Sequence, residues 1–157
     1  MKARLAVLIS MVVAAIAITG CSTPAASSDT LSSYTPVTRS ITMIGIPALV
    51  HEQQGTMDFL NTAFGDGGVL QDKEVYEWAP ANITAYVGDT IDLTLVNPSD
   101  DAHTFDVPDL GVAEPLPGQG TAHVRFTVDA PGIHEYLCQV GEHLPYMTGQ
   151  LVVLPAP

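Results

Sequence analysis

Cysteine and positive charge are both scarce in this chain of 157 residues. It has two cysteines, Cys21 and Cys138, so no internal disulfide framework can staple it. Lysine and arginine number 5 against 17 aspartates and glutamates. Such a balance excludes charge-driven binding to nucleic acid or to an anionic bilayer, and favours steering toward a cationic partner or simple solubility. Long apolar runs are also scarce. Leu5 to Ile18 is the one such run, and it is too short for a comfortable spanning helix. There is no internal repeat, and no nucleophile–base set that would point to catalysis.

The run at the N-terminus follows Lys2 and Arg4 and ends at Ile18-Thr19-Gly20-Cys21. A basic start, a short apolar stretch and small residues before a break describe an export signal, expected over residues 1–20. The ending resembles a lipobox, which implies cleavage before Cys21 and a lipid on its sulfur. No twin-arginine pair is present, so general secretion is expected. Residues 21–40 are rich in Ser, Thr, Pro and Ala and read as a lipidated flexible tether. Residues 41–157 then form one domain. After the signal, Arg39, Lys73 and Arg125 face all 17 acidic residues, a net charge of −14 with histidines neutral.

The second half of the domain carries the period of β-structure. In TIDLTLVN, Ile91, Leu93 and Leu95 fall on one face and Asp92, Thr94 and Val96 on the other. TAHVRFTV alternates likewise, with Ala122, Val124, Phe126 and Val128 on one face. NITAYV, the stretch from His103 to Val107, IHEYLC and GQLVVL complete a series of short strands separated by GD, PSDDA and APG turns. The pattern predicts an all-β sandwich. Residues 41–78 are less regular. ITMIGIPALV suits a strand, HEQQGTMDFLNTAF suits one or two helical turns, and FGDGGVLQD reads as a glycine-rich loop.

With Cys21 spent on the anchor, Cys138 is the one thiol left, and a lone thiol in an exported protein has a job or a partner. It stands in LCQVGEHLPYMTG, where Cys138, His143 and Met147 share a loop between two strands. His103 follows another turn, and the turns of a sandwich gather at its ends. A thiolate, two imidazoles and a thioether are the donor set of a blue-copper electron-transfer site. Three donors in a plane with a weak axial sulfur suit both copper oxidation states, so the ion changes charge with little movement.

The segments NITAYVGDTIDLTLVN, DAHTF and APGIHEYLCQVGEHLPYMTGQLVV resemble the cupredoxins, small copper proteins with a Greek-key β-sandwich. The Cys-to-Met spacing matches the loop length of azurins. HTFDVPDLGV with PLPGQGTAHVRFTVDAPG is similar to the copper domain of cytochrome oxidase subunit II, but that domain's dinuclear centre needs a second loop cysteine that this chain lacks. The resemblance implies one copper ion held by His103, Cys138 and His143, with Met147 axial. It implies His143 at an exposed apolar end of the sandwich, ringed by Leu144, Pro145, Leu116 and Pro117. It also implies a monomer that passes single electrons to a redox protein such as a cytochrome or membrane oxidase, from the outer face of the cell membrane. The alternative is a copper carrier that delivers metal to an oxidase. One departure is Glu142, where relatives often have glycine. Its charge favours copper(II), and together with His51 it is a candidate extra ligand in an open enzyme site.

Other residues have plainer expectations. Asn97 is expected to tie the turn before His103. The Thr104 backbone N–H is a candidate donor to the Cys138 sulfur. Tyr136 is expected in the core, Tyr76 and Trp78 as packing aromatics rather than electron-tunnelling relays, His134 packed inward, His123 on the surface, and Met43 and Met57 as gap-fillers rather than a copper-delivery set.

Overall fold

The computed structural model describes residues 33–143 and 145–157. The signal segment, Cys21, most of the tether and Leu144 lie outside the described residues. Two sheets face each other. One has the order β2-β1-β4-β7 and the other β3-β9-β8-β5-β6. The strands are β1 (Thr38–Leu49), β2 (Val75–Ala79), β3 (Asn82–Tyr86), β4 (Thr90–Val96), β5 (His103–Val107), β6 (Val112–Leu116), β7 (Thr121–Thr127), β8 (Gly132–Leu137) and β9 (Thr148–Leu154). Only the β1–β2, β5–β6 and β8–β9 connections stay within one sheet. The others cross between sheets, as an all-β sandwich of Greek-key type requires. β1 runs parallel to β4 and β3 parallel to β9, while the remaining pairs are antiparallel.

The alternation read from the sequence is realised in β4. Ile91, Leu93 and Leu95 are fully buried between the sheets while Asp92, Thr94 and Val96 are half-exposed. Trp78, Tyr76, Phe105 and Tyr136 are the largest side chains in the core. Trp78 stacks edge-on against Phe105 at 5.6 Å, and Phe105 tilts onto Tyr136 at 5.4 Å. A buried aromatic of this size stabilises the fold by about 3–5 kcal/mol relative to alanine.

The domain begins earlier than position 41. β1 starts at Thr38, and the residues before it fasten to Asp89 in the turn ahead of β4. The Tyr34 hydroxyl, the Val37 amide (2.9 Å), the Tyr86 amide (3.0 Å) and Arg39 Nε (2.5 Å) all donate to its carboxylate. Arg39 also lies over the Tyr86 ring. Sequence reading put these residues in the tether because Ser, Thr and Pro dominate there, and the pull of a distant buried aspartate is invisible to composition.

β1 and β2 pair directly, Leu49 opposite Val75, yet residues 50–74 intervene. This excursion holds a 3-10 turn, His51–Gln53, and one short helix, Asp58–Ala63. It has its own small core of Leu60, Ala63, Phe64 and Leu70, packed against Leu49 and Val75.

Candidate metal centre

Three elements deliver the donors. His103 is the first residue of β5, reached through the turn after β4. Cys138 directly follows β8, and His143 and Met147 lie in the loop that leads to β9. Backbone bonds close that loop: the Cys138 amide donates to Met147 O at 3.0 Å, and the Met147 amide to His143 O at 3.2 Å. The sequence therefore brings the donors together by ordinary strand pairing plus one tight loop.

His103, Cys138 and His143 form a buried cluster whose ligand atoms all lie within 4.8 Å of one another. The two Nδ1 atoms face each other at 3.2 Å, and Cys138 Sγ is 3.5 Å from His143 Nδ1. Both histidines are only 2% exposed, and Cys138 and Met147 are fully buried. Met147 comes to the same place. A Cβ added to Gly45 of β1 would stand 3.0 Å from the Met147 methyl and 3.2 Å from His103 Cδ2. Gly45 is thus a close approach of backbone to the site, where any side chain would push on a donor.

Neighbours hold each donor in place. Ser99 Oγ is 3.3 Å from His103 Nε2, which leaves Nδ1 turned toward the cluster. Asn97 ties the turn as expected. Its Nδ2 donates to Asp101 O (2.6 Å) and Pro117 O (3.1 Å), and its Oδ1 accepts from the Ser99 amide (3.0 Å). The Thr104 amide donates to Cys138 Sγ at 3.4 Å. The Thr104 hydroxyl accepts from the Gln139 amide at 2.9 Å and donates to Asp106 at 2.5 Å, joining β5 to the cysteine loop.

The electrostatics fit a soft cation. Burial, helped by the neighbouring His143, lowers the His103 pKa to about 4. Burial likewise lowers that of His143, against the opposing charges of Asp101, Glu142 and Glu74. Both imidazoles are therefore neutral near pH 7, the form that coordinates. Two neutral imidazoles and a thiol that converge in one buried pocket are a donor set that suits copper. The buried Met147 thioether lies beside this cluster.

His51 and Glu142 are not in the cluster. His51 instead donates its amide to Glu74 Oε1 (2.7 Å), sets Nδ1 2.8 Å from the same oxygen, and stacks on Phe64. Glu142 is exposed and lines a groove of about 420 Å³ with His51, Glu52, Asp72, Lys73, Glu74 and Asp101.

The expected exposure of His143 is not found. Tyr76, on β2, lies against it with ring centroids 4.5 Å apart, and against His103 at 4.6 Å. Leu116 is buried, while Pro117 and Pro145 are exposed. Tyr76 was read as mere packing, because nothing in a lone tyrosine on an apolar face marks contact with two ligands. Its hydroxyl donates to Asp101 Oδ2 at 2.5 Å and lies 3.0 Å from Glu74 Oε2. Burial first, and then these bonds, raise its pKa, so it stays a phenol. His134 does turn inward, with both ring nitrogens buried and Asp109 3.7 Å from Nδ1. His123 is exposed beside Thr94, and Met43 is core whereas Met57 is exposed.

The cupredoxin-like domain family matches residues 69–153. Among solved structures, the copper nitrite reductase from Nitrosomonas europaea is similar with a TM-score of 0.53 and 20% identity, over 75% of this chain and 42% of that one. Multicopper oxidase mgLAC gives a TM-score of 0.52 at 18% identity, over 75% of this chain and 39% of that one. Auracyanin A, a blue copper protein from Chloroflexus aurantiacus, gives 0.49 at 18% identity, over 74% of this chain and 99% of that one. This chain thus spans about two fifths of the length of the first two. No curated protein matches it. At these identities the likeness is one of fold, shared by enzymes, and function lies in the site. A match over more than half of its length places this chain in the cupredoxin-like domain family, and its converging histidines and cysteine make it a protein that holds one copper ion.

Proposed function

We propose that this protein is a one-electron carrier and not an enzyme, with copper held by His103, Cys138 and His143 and with Met147 in the axial place. The observation that carries the reading is the buried cluster of two imidazole Nδ1 atoms and one thiol. Copper bound there supplies a single-electron couple. The chain does the rest. Ser99 and Asn97 fix the orientation of His103, and the Thr104 amide withdraws charge from the Cys138 sulfur, which raises the potential. The Cys138–Met147 backbone bond fixes the spacing of the two sulfurs' residues. A site so braced changes little between oxidation states.

The partner is a redox protein, such as a cytochrome or a membrane oxidase. The ITGC sequence supports lipidation of Cys21, and the residues after it a tether that keeps the domain near complexes at the outer face of the membrane. The metal-delivery alternative needs donors that exchange copper readily, and full burial of the sulfurs opposes it.

The test is a visible and electron paramagnetic resonance spectrum of the copper(II)-loaded protein. An intense thiolate-to-copper band with narrow hyperfine splitting, lost in Cys138→Ser, is expected. A pale spectrum with wide splitting overturns the carrier reading.

A further inference from the structure

Neither ligand imidazole reaches solvent, since His103 and His143 are each 2% exposed. An electron must then cross at least one neighbouring group to arrive at the surface. Tyr76 is in ring contact with both imidazoles, at 4.6 and 4.5 Å, and is itself 1% exposed. Its other end, the hydroxyl, reaches Asp101 and Glu74. Those two carboxylates line the open groove together with His51 and Asp72. One side chain therefore spans from the two imidazoles to two carboxylates of the groove lining.

We propose that Tyr76 is the positioning residue that covers both ligand imidazoles and forms the bridge by which an electron passes between them and the groove. This rests on the carrier reading above. Tunnelling through a bonded, π-rich ring in contact at both ends is more effective than through an apolar gap. The ring does not itself become charged. With copper bound, the electron lost as copper(I) becomes copper(II) would be taken up by the oxidised redox protein docked at the groove.

The excursion at residues 50–74 fits this role. It carries its own small core, and the hydrogen bonds of His51 to Glu74 join its two ends just ahead of β2. The rival exit is the ligand loop itself, where Tyr146 is 39% exposed and its amide donates to His143 O.

The cover is tested first without metal. In the metal-free protein, carbethoxylation of each histidine by diethyl pyrocarbonate is followed by mass spectrometry. His103 and His143 should react slowly in the unaltered protein and in Tyr76→Phe, and several-fold faster in Tyr76→Leu, while exposed His123 reacts fast in all three. The bridge is tested in the copper(I) protein by its oxidation rate with a cationic cobalt(III) complex, at matched driving force. Tyr76→Leu should be several-fold slower, Tyr76→Phe close to the unaltered protein, and Tyr146→Leu unchanged. Protection of both histidines that survives Tyr76→Leu, or a rate loss found in Tyr146→Leu instead, overturns the proposal.

If Tyr76→Leu does not fold, charge reversal on the surface decides. Asp72→Lys at the groove should slow the cationic oxidant on the order of tenfold and speed an anionic one, whereas Asp129→Lys, beyond the other end of β8, should change neither. Equal effects of the two overturn it. Absence of the blue band in the unaltered protein is a different failure, that of the carrier reading, and is seen before any variant is made.

Discussion

Two buried polar clusters sit at opposite ends of β4, and they differ in whether they are complete. At one end Asp89 receives four donors, from Tyr34, Val37, Tyr86 and Arg39. Every charge there has its partner inside the chain. At the other end, past Asn97, His103, Cys138 and His143 bring two imidazole nitrogens and a thiol together in a buried cluster with no charged protein group among them. The first cluster holds the N-terminal strand to the sandwich. The second is held by the sandwich for something the chain does not supply. Buried polarity is therefore structural or functional according to whether its accounts close within the protein.

The largest expected effect separates the two ends outright. Cys138→Ser should abolish the blue band and leave unfolding by urea nearly unchanged in the metal-free protein. Asp89→Ala should do the reverse, costing about 3 kcal/mol through orphaned donors and an unpaired Arg39 while leaving the copper spectrum intact.

Acid should also tell the ends apart. The His103 pKa is lowered to about 4 in the fold, so the unfolded chain takes up that proton first. The metal-free protein should lose stability as pH falls from about 6.5 to about 4, and bound copper should protect it over that range. Burial alone would raise the Asp89 pKa, but its hydrogen bonds lower it below the usual carboxylate range. Its contribution should stay in place at moderately acid pH and be lost only below about pH 4. Urea unfolding at a series of pH values, with and without copper, checks both. A single transition common to both clusters would contradict the division.

A smaller effect is expected from Asn97→Ala, which frees the turn before His103. Copper affinity should fall by about 10- to 100-fold, read by chelator competition. The smallest belongs to Glu142→Gln. It removes an exposed charge near His143, so the potential should rise slightly with the blue band unchanged; loss of the band would make Glu142 a ligand.

Legibility followed the range of the interactions. The strands β3, β4, β5, β7, β8 and β9 and the convergence of His103, Cys138 and His143 were readable because alternation and loop spacing are local. Asn97 and the Thr104 amide followed from adjacency to a donor. β6 was missed, since VAEPL alternates weakly and contains a proline. The excursion at 50–74 was read only as helical turns and loop, because what it packs against is Leu49, Val75 and its own residues. The roles of Tyr76 and Asp89 depend chiefly on partners far away in sequence, such as Asp101 and His143 for Tyr76 and Tyr34 and Arg39 for Asp89. No local pattern announces such partners. Gly45 alone left a trace, as an isolated glycine inside an apolar strand.

The most direct test is X-ray absorption at the copper edge of the loaded protein. One short sulfur neighbour and two imidazole nitrogens are expected, with the thioether as a weak distant scatterer. A first shell of oxygen and nitrogen without sulfur would show copper held elsewhere, and would contradict the claim that the incomplete cluster at the end of β4 is the metal centre.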